Sequence, residues 1–372
     1  MDLAIELQRR LACSLLRVPA PALRALAGPE RRSPEGYVLD PQVQLVLRIS
    51  DLLGSTGWDQ HELADARALM DSSCRILAAR PTAMLSIRER RIPVDGGSVR
   101  ARLYIPEPRG GAHLPVVVYY HGGGFVLGSL ESHDGECQAI AAGARAIVVA
   151  VDYRLAPEHR FPVAVNDGIA AFRWVAANIA SLGGDPARIA VAGDSAGGNL
   201  AAVVARETRG DAVRPVFQLL VYPAVDMTRS HPSHRHFRDG LLLTEGNLDY
   251  FIAHYLRSDA DQRDPRASPL LAGDHAGLPP AMILTAGFDP LRDEGNAYAE
   301  ALAEAGVPVD LRCYEGLVHG FFNMSAAVDA ARRALDESVD GLRRALSAPA
   351  ADATARPACS TSPSARASAR PS

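Results

Sequence analysis

Apolar residues recur at helical spacing over the first 85 positions, with no strand-like alternation. An amphipathic, arginine-bearing stretch covers 1–26, and Pro19 and Pro21 are expected to break it. Helical character continues over 41–53 and 60–79. A helix lying on a membrane surface would account for the first stretch. A helical lid over a site elsewhere in the chain accounts for all three, and that reading is adopted. From Ser86 the pattern changes to short apolar runs alternating with helical segments. Strands are predicted at 86–94, 99–105, 115–121, 146–153, 188–193, 215–222, 281–287 and 309–314. The later runs are short and rich in Val, Ile and Leu, as in strands covered on both faces. Helices are predicted near 132–143, 162–181, 196–207, 290–305 and 326–346. This alternation predicts an α/β fold with a mainly parallel, doubly wound, eight-stranded sheet. Residues 224–270 interrupt it with a His/Arg/Asp-rich segment and an aromatic helix at 247–256, a second lid segment. After 346 the chain is Ala, Ser, Pro, Thr and Arg, so 347–372 is expected to be a disordered tail. The organisation read here is thus an N-terminal helical cap region at 1–85, a catalytic domain at 86–346 and the tail.

Composition narrows the class. The 372 residues are 48% hydrophobic and 22% charged, which suits a globular protein with a large core. Net charge is -4, and all 39 basic residues are scattered arginines. A nucleic-acid face would need a concentrated basic patch, so that partner is excluded. Five cysteines (Cys13, Cys74, Cys137, Cys313 and Cys359) show no motif spacing and read as reduced thiols of a cytoplasmic protein. No stretch is long enough to span a bilayer. Residues 11–16 are apolar but too short, and too closely flanked by arginine, for a signal core.

Residues 188–198 read Arg-Ile-Ala-Val-Ala-Gly-Asp-Ser-Ala-Gly-Gly, a strand running into a tight turn that carries Ser195. Gly193 and Gly197 complete G-x-S-x-G, in which a sharp strand-to-helix turn pushes the serine hydroxyl outward. A serine hydroxyl is a weak nucleophile and needs an imidazole, itself oriented by a carboxylate. In sheets of this type the partners follow in the order Ser, Asp or Glu, His. Asp289, directly after the strand at 281–287, and His319, shortly after the last strand, meet the requirement. Asp226, after the strand at 215–222, is the rival acid. Asp293 and Glu294 read as helix N-terminal residues paired with the dipole. His231, His234 and His236 read as surface or lid-packing residues. Strand 115–121 ends in His121-Gly122-Gly123-Gly124-Phe125, where consecutive glycines can turn backbone N–H groups toward an oxyanion. The N–H of Ala196 is the second donor, and His121 reads as a residue that orients the loop. No metal or organic cofactor is called for.

His121 to Phe125, Gly193 to Gly198, Asp289 to Glu294 and His319-Gly320-Phe321 together resemble the hormone-sensitive-lipase-like esterases, bacterial family IV, of the α/β-hydrolase fold. Asp152-Tyr153-Arg154-Leu155-Ala156-Pro157-Glu158 is similar to that family's stretch after the fourth strand. The resemblance covers about 90–346. It implies Ser195 as nucleophile, His319 as base, Asp289 as its orienter, and Gly123, Gly124 and Ala196 as oxyanion donors. His121, Gly122 and Asp194 form the supporting loop, Asp194 marking the branch with Asp before the nucleophile. It also implies a helical cap, matched here by 1–85 and 224–270, and a carboxylic ester substrate with a short- to medium-chain acyl group. An amidase or deacetylase would use the same residues; a peptidase and a non-catalytic small-molecule receptor on this fold are the further alternatives. The expected partner is a small-molecule ester. A homodimer is compatible with the sequence, which does not fix the oligomeric state.

Overall fold

The structure, a computed structural model, describes residues 3–54, 57–108 and 113–347. The strands are β1 Ser86–Val94, β2 Gly97–Ile105, β3 Leu114–Tyr120, β4 Ile147–Asp152, β5 Gly184–Asp194, β6 Phe217–Val221, β7 Ala281–Phe288 and β8 Val309–Val318. They form one sheet in the order β1-β2-β4-β3-β5-β6-β7-β8. β2 runs antiparallel to both β1 and β4, and from β4 to β8 every pairing is parallel. The helices are α1 Leu3–Leu16, α2 Ala20–Ala27, α3 Pro41–Leu52, α4 Leu63–Leu77, α5 Asp134–Ala144, α6 Val163–Asn178, α7 Ala196–Glu207, α8 Pro232–His236, α9 Glu245–Tyr255, α10 Arg292–Glu304 and α11 Asp329–Ser347.

Strand periodicity divides the core in two. Val116, Val118 and Tyr120 of β3 join one cluster with α6 and α7 residues such as Phe172 and Leu200. Their neighbours Val117 and Tyr119 point the other way, into a cluster with Ile140 of α5 and Leu335 and Leu342 of α11. Successive side chains on a strand face opposite sides, so a fully buried run such as Val-Val-Val-Tyr-Tyr requires a helical layer on each face. The carboxyl ends of β3, β5, β7 and β8 therefore emerge on one edge, where the loops after them meet.

The element order follows the sequence expectation, with differences at the ends. β5 begins at Gly184, not 188, because Gly184 pairs with Leu114 ahead of an unpaired, irregular stretch at 185–188, and regular pairing resumes with Ile189 opposite Val116. β8 continues to Val318, beyond the expected 314: it is an edge strand, and its alternating exposed and half-buried residues mask its length. The 1–26 stretch is two helices, with Pro19 at the N-cap of α2. Of the expected tail at 347–372, Ser347 is the last residue of α11, and 348–372 lies outside the described residues.

Where the loops meet, α3, α4 and the segment 240–255 enclose a space together with Ser195 and His319. Among the described residues, none of α1 or α2 lines the space enclosed there. Instead Cys13, Leu16, Leu23 and Leu45 form a small separate core that braces α3 and α4 from behind. Arg9 strengthens that brace by donating to the carbonyls of Ala78 and Ala79, just past the end of α4. Among the described residues no helix is long and apolar enough to cross a membrane.

Candidate active site

The turn between β5 and α7 places Ser195 at φ 55, ψ -120, a region that costs a non-glycine residue on the order of 1–3 kcal/mol. The surroundings enforce it. The Ser195 N–H donates to Val221 O at 2.8 Å, and the Ser195 carbonyl accepts from Asn199 N at 3.0 Å. A Cβ on Gly193 would strike the Gly197 carbonyl, and one on Gly197 would strike the Tyr120 carbonyl. The two glycines thus let β5, α7 and the end of β3 approach closely enough for the turn to close.

Ser195 Oγ lies 2.9 Å from His319 Nε2, and His319 Nδ1 lies 2.9 Å from Asp289 Oδ2. Asp289 is completely buried, and its other carboxylate oxygen accepts the Leu291 N–H at 2.8 Å. With Nδ1–H donating to that carboxylate, Nε2 is left as the acceptor of the serine proton. Tyr222 packs its ring 4.5 Å from the imidazole and limits its movement. The rival carboxylate is committed elsewhere. Asp226 accepts from Thr228 N at 2.9 Å, Thr228 Oγ1 at 2.6 Å and Ser230 Oγ at 3.0 Å, closing its own turn.

The glycine loop adopts three consecutive positive φ angles, 117° at Gly123, 61° at Gly124 and 63° at Phe125. Among the described residues no acceptor takes the N–H of Gly123, Gly124 or Ala196, the last being the first residue of α7. Gly122 is different: its N–H donates to Asp194 Oδ1 at 3.0 Å. His121 donates Nδ1–H to Gly122 O at 2.8 Å and stacks on Tyr153 at 4.3 Å. Burial, with His133 nearby, pushes the His121 imidazole down to about 4, so it stays neutral. Asp194 also accepts from Tyr119 Oη at 2.8 Å and pairs with His133 Nε2 at 3.2 Å. Burial opposes the charge on both partners, but their pairing outweighs it: His133 is held above the usual histidine range and Asp194 below the usual carboxylate range.

Glu294 lies in the first turn of α10, where the sequence placed it, but it is buried and has specific partners. It accepts from Val225 N at 2.7 Å and Asp226 N at 3.1 Å, and His234 Nε2 bonds it at 2.7 Å. Burial raises its carboxyl above the usual range. His234 is accordingly a buried wall residue, fixing the 225–226 turn beside Ser195. Sequence reading also passed over His133: its Ser-His-Asp context at the head of a helix carries no distinguishing pattern.

A cavity of about 540 Å³ opens above Ser195 and His319. Its lining is mainly apolar, with Leu47, Leu69 and Met70 from α3 and α4 and Leu248, Phe251 and Ile252 from α9. Among the described residues no group of three or more potential ligands could hold a metal ion.

A hydroxyl, an imidazole and a buried carboxylate in series, at the carboxyl edge of a sheet with this strand order, define a serine hydrolase of the α/β-hydrolase fold. The family described by that fold matches residues 117–323. The chain belongs to it, within the hormone-sensitive-lipase-like, bacterial family IV branch. It is 42% identical to the carboxylic ester hydrolase LipN of Mycobacterium tuberculosis, over 89% of each chain. It is 48% identical to the carboxylesterase NlhH of the same species, over 71% of this chain and 84% of NlhH. Among solved structures, a hyperthermophilic esterase from the archaeon Pyrobaculum calidifontis superposes with a TM-score of 0.77 at 41% identity, covering 82% of this chain and 98% of the esterase.

Proposed function

We propose that this protein hydrolyses carboxylic esters through an acyl-enzyme formed on Ser195. The observation that carries the reading is the unbroken series Asp289–His319–Ser195, with both links at 2.9 Å, beneath an apolar cavity. The names of LipN, NlhH and the Pyrobaculum enzyme, all ester hydrolases, support it.

In the first half-reaction His319 Nε2 takes the proton as Ser195 Oγ attacks the ester carbonyl carbon. Negative charge gathers on the former carbonyl oxygen, where the N–H groups of Gly123, Gly124 and Ala196 receive it. Each such donor contributes roughly 3 kcal/mol to the transition state. Asp289 stabilises the imidazolium and holds its tautomer. The tetrahedral adduct collapses, His319 gives its proton to the departing alcohol, and the acyl group remains on Ser195. Water, deprotonated by the same imidazole, then attacks the acyl carbon; the bond from that carbon to Ser195 Oγ breaks, His319 returns the proton to Oγ, and the acid leaves. The 540 Å³ apolar cavity suits a short- to medium-chain acyl group. Within the cap segments expected at 1–85 and 224–270, α3, α4 and 240–255 border the cavity, and α1 and α2 act as their brace.

A cytoplasmic location is supported by Cys13, Cys74, Cys137 and Cys313, none of which is in a disulfide. The homodimer is checked by light scattering of the purified protein.

The deciding experiment is a chain-length series of p-nitrophenyl esters on the wild type and on Ser195→Ala. Turnover peaking at short to medium chains, and falling by about 10⁶ in the variant, supports the reading. Full activity in Ser195→Ala overturns it.

A further inference from the structure

The same helix that lines the cavity also holds the glycine loop. On one face of α4, Leu69, Met70, Ser73, Cys74 and Leu77 border the space above Ser195. On another face, Arg67 and Asp71 lie one turn apart and reach the chain that follows the glycines. Arg67 Nε donates to Val126 O at 3.0 Å, two residues beyond Gly124. Its Nη2 donates to Ala156 O at 3.0 Å, and the Ala156 N–H in turn holds Phe125 O at 2.9 Å. Glu158 completes the arrangement, taking both Nη groups at 2.8 Å in a bidentate pair. One turn later Asp71 Oδ1 accepts from Ser129 Oγ at 2.7 Å. The residues so anchored, 125–129, begin with the last of the positive-φ run and directly follow Gly123 and Gly124, whose N–H groups face no acceptor among the described residues.

We infer that α4 couples recognition of the ester's hydrocarbon chain to the geometry of the glycine loop, with Arg67 as the positioning residue that transmits it. The inference rests on the ester-hydrolase reading above. A chain packed against Met70 and Leu77 fixes α4, and α4 fixes Val126 and Ala156 through one guanidinium. Binding energy from the non-reacting part of the substrate is thereby converted into oxyanion stabilisation and appears in kcat. Three acceptors in three directions require the planar fork of arginine; a lysine ammonium cannot reach them together.

The test measures kcat and KM for p-nitrophenyl acetate, butyrate and hexanoate with the wild type, Arg67→Ala and Arg67→Lys. Each is paired with the inhibition constant of butylboronic acid, which mimics the tetrahedral adduct on Ser195. In the wild type, kcat is expected to rise from acetate to hexanoate. In Arg67→Ala, kcat for hexanoate falls about tenfold or more with KM within about twofold, boronate binding weakens in parallel, and the rise with chain length collapses. Arg67→Lys keeps the charge and the aliphatic stem and shows the same pattern should the alanine variant not fold. A loss confined to KM, or one equal at all chain lengths with unchanged boronate affinity, overturns the inference. Wild-type failure on every ester overturns the functional reading itself, whereas an active wild type with unaltered variants overturns this coupling alone.

Discussion

The Asp194 carboxylate accepts the N–H of Gly122 at 3.0 Å, so the residue before Ser195 holds the residue before the glycine pair Gly123-Gly124. Attacking hydroxyl and proposed oxyanion donors are thereby fixed to one carboxylate. Removing it in Asp194→Ala is expected to lower kcat by about 10²-fold with little change in KM, since small misplacements at a reacting centre are this costly. Asp194→Asn keeps an oxygen for the Gly122 N–H and should lose less. Steady-state kinetics on p-nitrophenyl butyrate decides between the two.

Asp289 and Asp226 are separated by a matched pair of substitutions. Asp289→Asn should lower kcat by about 10⁴, because an amide at that position favours the wrong imidazole tautomer. Asp226→Asn keeps one oxygen to accept from Thr228 and presents an amide NH2 that can donate to Ser230 Oγ, so it should stay within about tenfold of wild type. Comparable losses in both would remove Asp289 from its assigned role.

Glu136 provides a pH-dependent handle on stability. It is fully buried; its Oε1 accepts from Ala79 N at 3.2 Å, and its Oε2 has no hydrogen-bond partner. Burial pushes its carboxyl up to about 7, against the opposing pull of His133. The folded state therefore binds a proton that the unfolded chain releases above about pH 4.5, and the associated stability is lost as pH rises through about 7. Glu136→Gln removes that loss. Its urea midpoint should match wild type near pH 4 and exceed it at pH 8, by on the order of 3 kcal/mol in unfolding free energy. Equal midpoints at pH 8 would contradict the assignment.

Gly124 is where the insertion presses on the loop. A Cβ there would penetrate the Phe251 ring of α9, and φ is 61°. Gly124→Ala should reduce kcat by about 10²-fold, as loss of an oxyanion donor does. Gly124→Ala combined with Phe251→Ala should recover part of that loss, because the steric component is relieved while the backbone preference remains. No recovery in the double variant would mean that Phe251 does not set the loop.

The chemistry-bearing loops were legible because buried parallel strands announce themselves as unbroken Val, Ile and Leu runs. Once β5, β7 and β8 are placed, Ser195, Asp289 and His319 follow from the order in which the strands end. The glycines of 122–124 were legible for a similar reason: a run of residues lacking Cβ after a strand has few uses. What sequence could not supply was polar pairing over long separations. His234 read as a surface or lid-packing residue and Glu294 as a helix N-terminal one, and nothing in the sequence shows that they meet, buried, across 60 positions. His133 and Asp194 are 61 positions apart, and Arg67 finds its carbonyl 59 residues on. Such pairs leave no periodicity, because each partner is burial-competent only in the other's presence. The C-terminal end of β8 escaped because an edge strand needs no continuous apolar run.

The backbone of Ser195 has a consequence for how far this molecule could ever be stabilised. Its φ of 55° is a glycine conformation occupied by a residue with a side chain. Ser195→Gly would relax that conformation, so the inert protein should melt later than the working one. Selection for turnover therefore holds the chain below its attainable stability at one position, and thermostability must be gained elsewhere.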